Sequence, residues 1–188
     1  MFEDFSERLF AHFVAGHWRA PYSEDAYPVT TYEGVGLGQV MAAGPLDIAR
    51  ALNARRGADR QACLRLADTL ERERDVLVRA CALQTGQAPA PAGLDGLATA
   101  FAAPGDAQDG VVFTTRATRF EELGRALRAS IMGGAIWCPT VDQAVFATAF
   151  ACLVQQADLP PGAFALLHAH VPSTKAAFNE AGLTALEC

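Results

Sequence analysis

Gly133–Ala169, GGAIWCPTVDQAVFATAFACLVQQADLPPGAFALLHA, is the stretch whose reading decides the fold. It opens on a short apolar run, Ala135–Trp137, held between glycines and Pro139, which is the pattern of a buried strand. Thr140 follows as a helix cap, and an Ala-rich helix is expected to run to about Ala157. Leu159-Pro160-Pro161-Gly162 stops it, because proline has no N–H to give and forces the residue before it out of the α region. A second apolar run, Ala163–Ala169, comes next. Strand, helix, tight turn and strand at this spacing predict a βαβ unit with its two strands parallel in one sheet.

The pattern extends in both directions. Downstream, Pro172–Ala181 reads as a short helix and Leu183–Leu186 as a short strand. Upstream, Gly110–Thr115 (GVVFTT) reads as a strand, and Phe120–Ile131 as a helix with Phe120, Leu123, Leu127 and Ile131 on one face. Four strands alternating with three helices predict an α/β fold with a parallel, doubly wound half-sheet. Residues 88–109 are rich in Ala, Pro and Gly and read mostly as a linker, with one helical turn around Leu94–Phe101. Before it, Arg60–Thr85 is expected to be one long helix, capped by Asp59 and ended by Gly86. The charged run Glu71–Asp75 would be its solvated face. Pro45–Arg56 is a further helix, with Pro45 in its first turn. Tyr27–Val40 alternates as strand, turn and strand, with Gly34, Gly36 and Gly38 as turn glycines. Met1–Ala15 has Phe2, Phe5, Leu9, Phe10 and Phe13 at helical steps and reads as a short amphipathic helix. Three segments result: 1–87, 88–109 and 110–188.

Composition narrows the function. Hydrophobic residues make up 51% of the 188, enough for a core. A formal net charge of −6, with Lys175 as the only lysine, argues against a nucleic-acid surface. No apolar run approaches the ~20 residues that span a bilayer. Met1-Phe2-Glu3-Asp4 lacks the basic and apolar regions of a signal peptide, so a cytoplasmic protein is expected. The five cysteines form no C-x-x-C pair, and Cys63, Cys81 and Cys152 fall in apolar helical patterns as small hydrophobes. His168 and His170 alternate on a strand, but two histidines without a third ligand make no metal site. His17 and Trp18 read as packed turn residues.

Glycine, apolar strand, Pro139-Thr140, Ala-rich helix, Asp158-Leu159-Pro160-Pro161-Gly162 and apolar strand together resemble the cofactor-binding domain of the aldehyde dehydrogenase superfamily. Three earlier phrases resemble the same family in the same chain order. They are Phe13-Val14-Ala15-Gly16-His17-Trp18, Asp47-Ile48-Ala49-Arg50-Ala51, and Leu83-Gln84-Thr85-Gly86-Gln87. In the last, Gln84 stands where the family has glutamate and Gln87 where it has lysine. The resemblance implies strands and helices over 1–87 and half of a Rossmann-like, NAD(P)-binding domain over 110–188. It also implies that the family's oligomerisation hairpin is shortened or missing between residues 88 and 109.

Aldehyde oxidation in that family needs a cysteine nucleophile, an oxyanion-holding asparagine, a water-activating glutamate and NAD(P). The turn that carries the asparagine reads Thr114-Thr115-Arg116-Ala117-Thr118-Arg119-Phe120 here, without one. The lysine near the adenosine ribose is replaced by Cys138. The glutamate and the nucleophile lie further along in the family than Cys188, which implies a truncated relative with no catalytic residues of its own. By family position alone, Thr115, Cys138, Pro139 and Thr140 would contribute to a cofactor site, with NAD(P) as its occupant. The leading expectation is a non-catalytic subunit that binds another protein, or itself, through the open edge of a shortened sheet. A second is the NAD(P)-binding half of a split enzyme. A third is a thiol sensor. Cys138 would be its thiolate, favoured by the helix N-terminus that follows it. Cys188 is less suited, because Glu187 and a carboxylate beside it disfavour a thiolate.

Overall fold

The computed structural model describes residues 5–108, 110–115, 118–168, 172–180, 182–183 and 185–187. Helix α1 (Phe5–Phe10) leads into a tight hairpin, β1 (His12–Val14) and β2 (His17–Arg19). A second hairpin pairs β3 (Ala26–Thr30) with β4 (Gly36–Met41). Four helices follow: α2 (Pro45–Ala54), α3 (Arg60–Arg72), α4 (Arg74–Thr85) and α5 (Pro91–Ala102). The alternating part comprises β5 (Val111–Thr114), α6 (Phe120–Ile131), β6 (Ala135–Pro139), a 3₁₀ turn (Val141–Gln143), α7 (Ala144–Gln156), β7 (Phe164–Leu166), α8 (Pro172–Glu180) and β8 (Ala185–Glu187).

The main sheet has the order β2-β1-β7-β6-β5-β8. β7, β6, β5 and β8 are parallel, as the βαβ reading requires. Taken in chain order, they run third, second, first, fourth, so the winding reverses between β5 and β8. Alternate side chains point to opposite faces of a strand, and here both faces are buried. Val112 and Trp137 face the layer holding α3–α7, while Val111, Phe113, Ile136 and Cys138 face α2 and α8. Burial on both sides is why β5–β7 read as continuous apolar runs rather than alternating ones.

Four expectations need correction. The first is Met1–Ala15 as one helix. The described helix ends at Phe10, and His12–Val14 is a strand in the main sheet, antiparallel to both β2 and β7. The five apolar residues fit a helical stripe, but Ala15 and Gly16 turn with positive φ (54° and 78°), which sends the chain back as a hairpin. The half-sheet is thereby extended to six mixed strands.

The second correction concerns Arg60–Thr85, which is two helices. The run Glu71–Asp75 has no apolar residue to anchor it. The chain turns at Glu73, and α4 settles on α7, where Gln156 Nε2 donates to Glu73 Oε1 at 3.0 Å.

Third, the interval read as a linker carries the twelve-residue helix α5, with Leu94, Leu97, Ala98, Ala100 and Phe101 buried against α3 and α6. Its small residues reflect close helix approach, not flexibility. A side chain at Gly124 of α6 would meet Ala100 at 2.8 Å. Fourth, Thr140 starts the 3₁₀ turn, and α7 proper begins at Ala144.

Other expectations stand. Asp59 caps α3, accepting from Ala62 N at 2.8 Å, and Gly86 ends α4 in the left-handed region. Cys63 and Cys152 are buried and Cys81 is half-buried. Among the described residues no helix is long and apolar enough to cross a membrane.

Two positions test this packing. Gly162, in the Pro-Pro-Gly turn, has φ +93°, and a side chain there would collide with the Ala54 carbonyl. Gly162→Ala should therefore cost at least about 2 kcal/mol in urea unfolding, from strain and steric conflict together. Arg128 is buried on α6, and its Nε and Nη1 have no acceptor among the described residues. Arg128→Met, which removes two buried donors without an acceptor among the described residues, should raise stability by about 1–2 kcal/mol in urea unfolding.

Candidate functional site

In open α/β sheets, ligands bind beyond the carboxyl ends of the strands, near the point where the winding reverses. Here β5 borders that reversal, and on its other side the ends of β5 and β6 and the start of α7 frame a crevice in which all four residues singled out by family position lie. Thr115 follows β5. Cys138 and Pro139 end β6, and Thr140 leads into the 3₁₀ turn. The parallel register sets Thr114 beside Pro139 and Phe113 beside Cys138. The structure brings these residues together, but it gives them different surroundings.

Cys138 points away from the carboxyl-end crevice. It is fully buried in the cluster that holds Phe113, Ala165, Leu167 and Phe178. Burial alone raises its thiol far above the ordinary range. The helix-terminus argument therefore fails at this position: loss of water around the sulfur outweighs any attraction from the following helix. Cys188, His170, Arg116 and Ala117 lie outside the described residues. Among the described residues no group of three His, Cys, Asp or Glu could hold a metal ion.

The crevice is organised by a residue the sequence reading passed over, Gln143. The buried Trp137 indole N–H donates to Thr114 Oγ1 at 2.8 Å. The Thr114 hydroxyl donates to Gln143 Oε1 at 2.6 Å. Gln143 Nε2 then donates to the Thr115 carbonyl at 2.8 Å. This chain of donors laces the end of β5 to the start of α7. Thr140 takes part more loosely, 3.4 Å from Gln143 Oε1, and its hydroxyl also donates to the Asp142 carboxylate.

Gln84 secures the other side. Its Nε2 donates to the Val141 carbonyl at 2.8 Å, and its Oε1 accepts from Val145 N at 3.0 Å. A glutamate at this position accepts but cannot donate, so it could not make both bonds. The amide thus suits a docking role between α4 and α7. Three backbone N–H groups of this region are engaged, Gln143 N by the Thr140 carbonyl, Ala144 N by Val141 and Val145 N by Gln84. What remains is a cavity of about 70 Å³ whose lining includes Cys81, Thr118, Phe120, Asp142, Gln143 and Phe146. No spacing rule singles out Gln143; only its place just inside a helix start after a buried strand hinted at it.

No protein-family model matches the sequence, and no curated protein does. Solved structures do match. Aldehyde dehydrogenase C of Pseudomonas syringae, a mutant in complex with NAD+ and octanal, superposes with a TM-score of 0.72 at 19% identity. The match covers 91% of this chain and 43% of that one.

The chain has the fold of part of an aldehyde dehydrogenase.

HpcC of Thermus thermophilus gives a TM-score of 0.71 at 21% identity, covering 94% of this chain and 43% of that one. An NAD+ complex of the Bacillus cereus aldehyde dehydrogenase gives 0.73 at 15%, covering 93% and 44%. The chain therefore spans less than half the length of the aldehyde dehydrogenases it matches. At these identities the likeness carries the fold, and the residue roles rest on the geometry above.

Cys138 offers a direct check. In the native protein at neutral pH it should resist iodoacetamide, and it should label at the rate of a free thiol only after unfolding in urea. Mass-resolved alkylation reads both states.

Proposed function

We propose that this chain is a non-catalytic protein of aldehyde-dehydrogenase fold that serves as an interaction or structural subunit of a larger assembly. The observation that carries the proposal is the closure of the carboxyl-end crevice by Gln143. A dinucleotide needs a cavity of roughly 300–1,000 Å³ and free backbone N–H groups to receive its pyrophosphate. The space beside Gln143 is about 70 Å³, and the N–H groups of Gln143, Ala144 and Val145 are already bonded. Asp142 adds negative charge where phosphates would approach, and Cys138 presents nothing to a ribose. The residues present do not fit NAD(P). An assembly role is supported by the outer side of β2, which has no strand beside it among the described residues, and by the exposure of Tyr32 and Val35 at the β3–β4 hairpin.

One feature favours a second reading, the cofactor-binding half of a split enzyme. The reversal of winding between β5 and β8 is the topology that places dinucleotides in related sheets.

A fluorescence titration with NADH separates the two. The first reading expects no change up to about 1 mM, the limit of even weak specific binding. Saturable binding at micromolar concentration would favour the second. Light scattering of the purified protein tests the assembly role, with an oligomer or a captured partner expected. A clean monomer that captures nothing would count against it.

A further inference from the structure

Among the described residues, one register pair, Phe13 with Leu166, joins β1 to β7. Just beyond that pair, the backbone N–H of His168 donates to the imidazole Nδ1 of His12 at 3.3 Å. That bond needs Nδ1 bare, which leaves the imidazole proton on Nε2. Both rings are fully buried, with centroids 6.3 Å apart.

The charged and polar groups around the pair come from every element packed on it. From α2, the Asp47 carboxylate lies 3.8 Å from His12 Nε2, with Arg50 3.6 Å from that carboxylate. Asp47 is itself occupied, accepting from Tyr22 N and Gly44 N at 3.0–3.2 Å. From β2, Arg19 stands opposite His12 in register. From α7, Thr148 Oγ1 is 3.5 Å from His168 Nε2. Neither His12 Nε2 nor His168 Nδ1 has a hydrogen-bond partner among the described residues.

We propose that the His12–His168 contact is an acid-labile latch, in which a proton taken up at His12 Nδ1 releases the β1–β2 ribbon from β7. A protonated Nδ1 turns an N–H···N bond into two N–H groups facing each other. The acceptor is lost beside the Phe13–Leu166 pair that joins β1 to β7. Release would bare the edge of β7 to pairing by another strand.

The ring's surroundings agree in sign. Burial lowers His12 to about 4, with Asp47 opposing and Arg50 adding to the fall, and it lowers His168 to about 3, helped by the nearby His12. Both rings are neutral in the closed protein and would titrate near 6.5 once released to water. The closed form is therefore at full strength above pH 6.5 and weakens as the pH falls. For His12 alone, opening increases about tenfold per pH unit down to about 4.

Amide hydrogen exchange read by mass spectrometry on the full chain tests the latch. Peptides spanning 11–19 and 163–168 are followed at pH 7 and pH 5, corrected for intrinsic exchange, with α3 as the internal reference. The expected result is at least a tenfold gain in opening for those two peptides at pH 5 and none for α3. In His12→Asn, whose side-chain oxygen accepts at any pH, the acid response should shrink by at least tenfold, to what His168 alone contributes. Flat protection in the wild type, an equal loss across α3, or the same acid response in the folded variant would each overturn the latch. If the variant does not fold, the wild-type comparison of the ribbon with α3 decides alone.

Discussion

A tryptophan buried in the middle of a parallel sheet must find a partner for its N–H, and Trp137 has Thr114 Oγ1 within 2.8 Å. The rest of the carboxyl end follows from that bond. Thr114 passes its own hydrogen to Gln143, and Gln143 passes one to the Thr115 carbonyl. Strand β5, strand β6 and the start of α7 are joined by one line of donors rooted in the core. Around the indole, Phe146 and Phe150 present near-perpendicular rings at 6.3 and 5.6 Å, so the same residue also seats α7 on the sheet. An opening in the crevice would have to break a bond whose root lies fully inside the protein.

The parallel half of the fold was legible because its signals were local. Pro and Gly marked the ends of α7, β-branched and aromatic residues filled β5 and β6, and Asp59, Pro45 and Gly86 stood where caps belong. The misreadings share a physical cause: tertiary contacts overrode a local pattern. Phe13 fits a helical stripe as well as a strand, and its pairing with Trp18 and Leu166 decides between them. The composition of α5 resembles a linker because the small residues that let it approach α6 closely, Gly96 and Ala100, are of the kind that mark loops elsewhere. The charged run at Glu71–Asp75 was correctly assigned to the surface, but a face without apolar anchors is also free to bend.

The candidate site was legible in position and not in character. Family resemblance located Thr115, Cys138, Pro139 and Thr140 at the ends of β5 and β6, and the strands do end there. Which way Cys138 points depends on strand parity relative to layers that lie far apart in sequence. Gln143 was invisible for a related reason: its partners are 28 and 29 residues away and form a line only after β5 and β6 pair.

The joint between β1 and β7 has a consequence for how the chain is made. Its two sides are 156 residues apart in the contact between His12 and His168. At a synthesis rate of 5–20 residues per second, the β1–β2 ribbon is made roughly eight to thirty seconds before the strand it docks on exists. Through that interval Phe13 has neither Phe164 nor Leu166 to cover it. The growing chain therefore carries an uncovered apolar strand while the residues between β1 and β7 are made, and keeping it harmless falls to α1, to its own hairpin partner or to a chaperone.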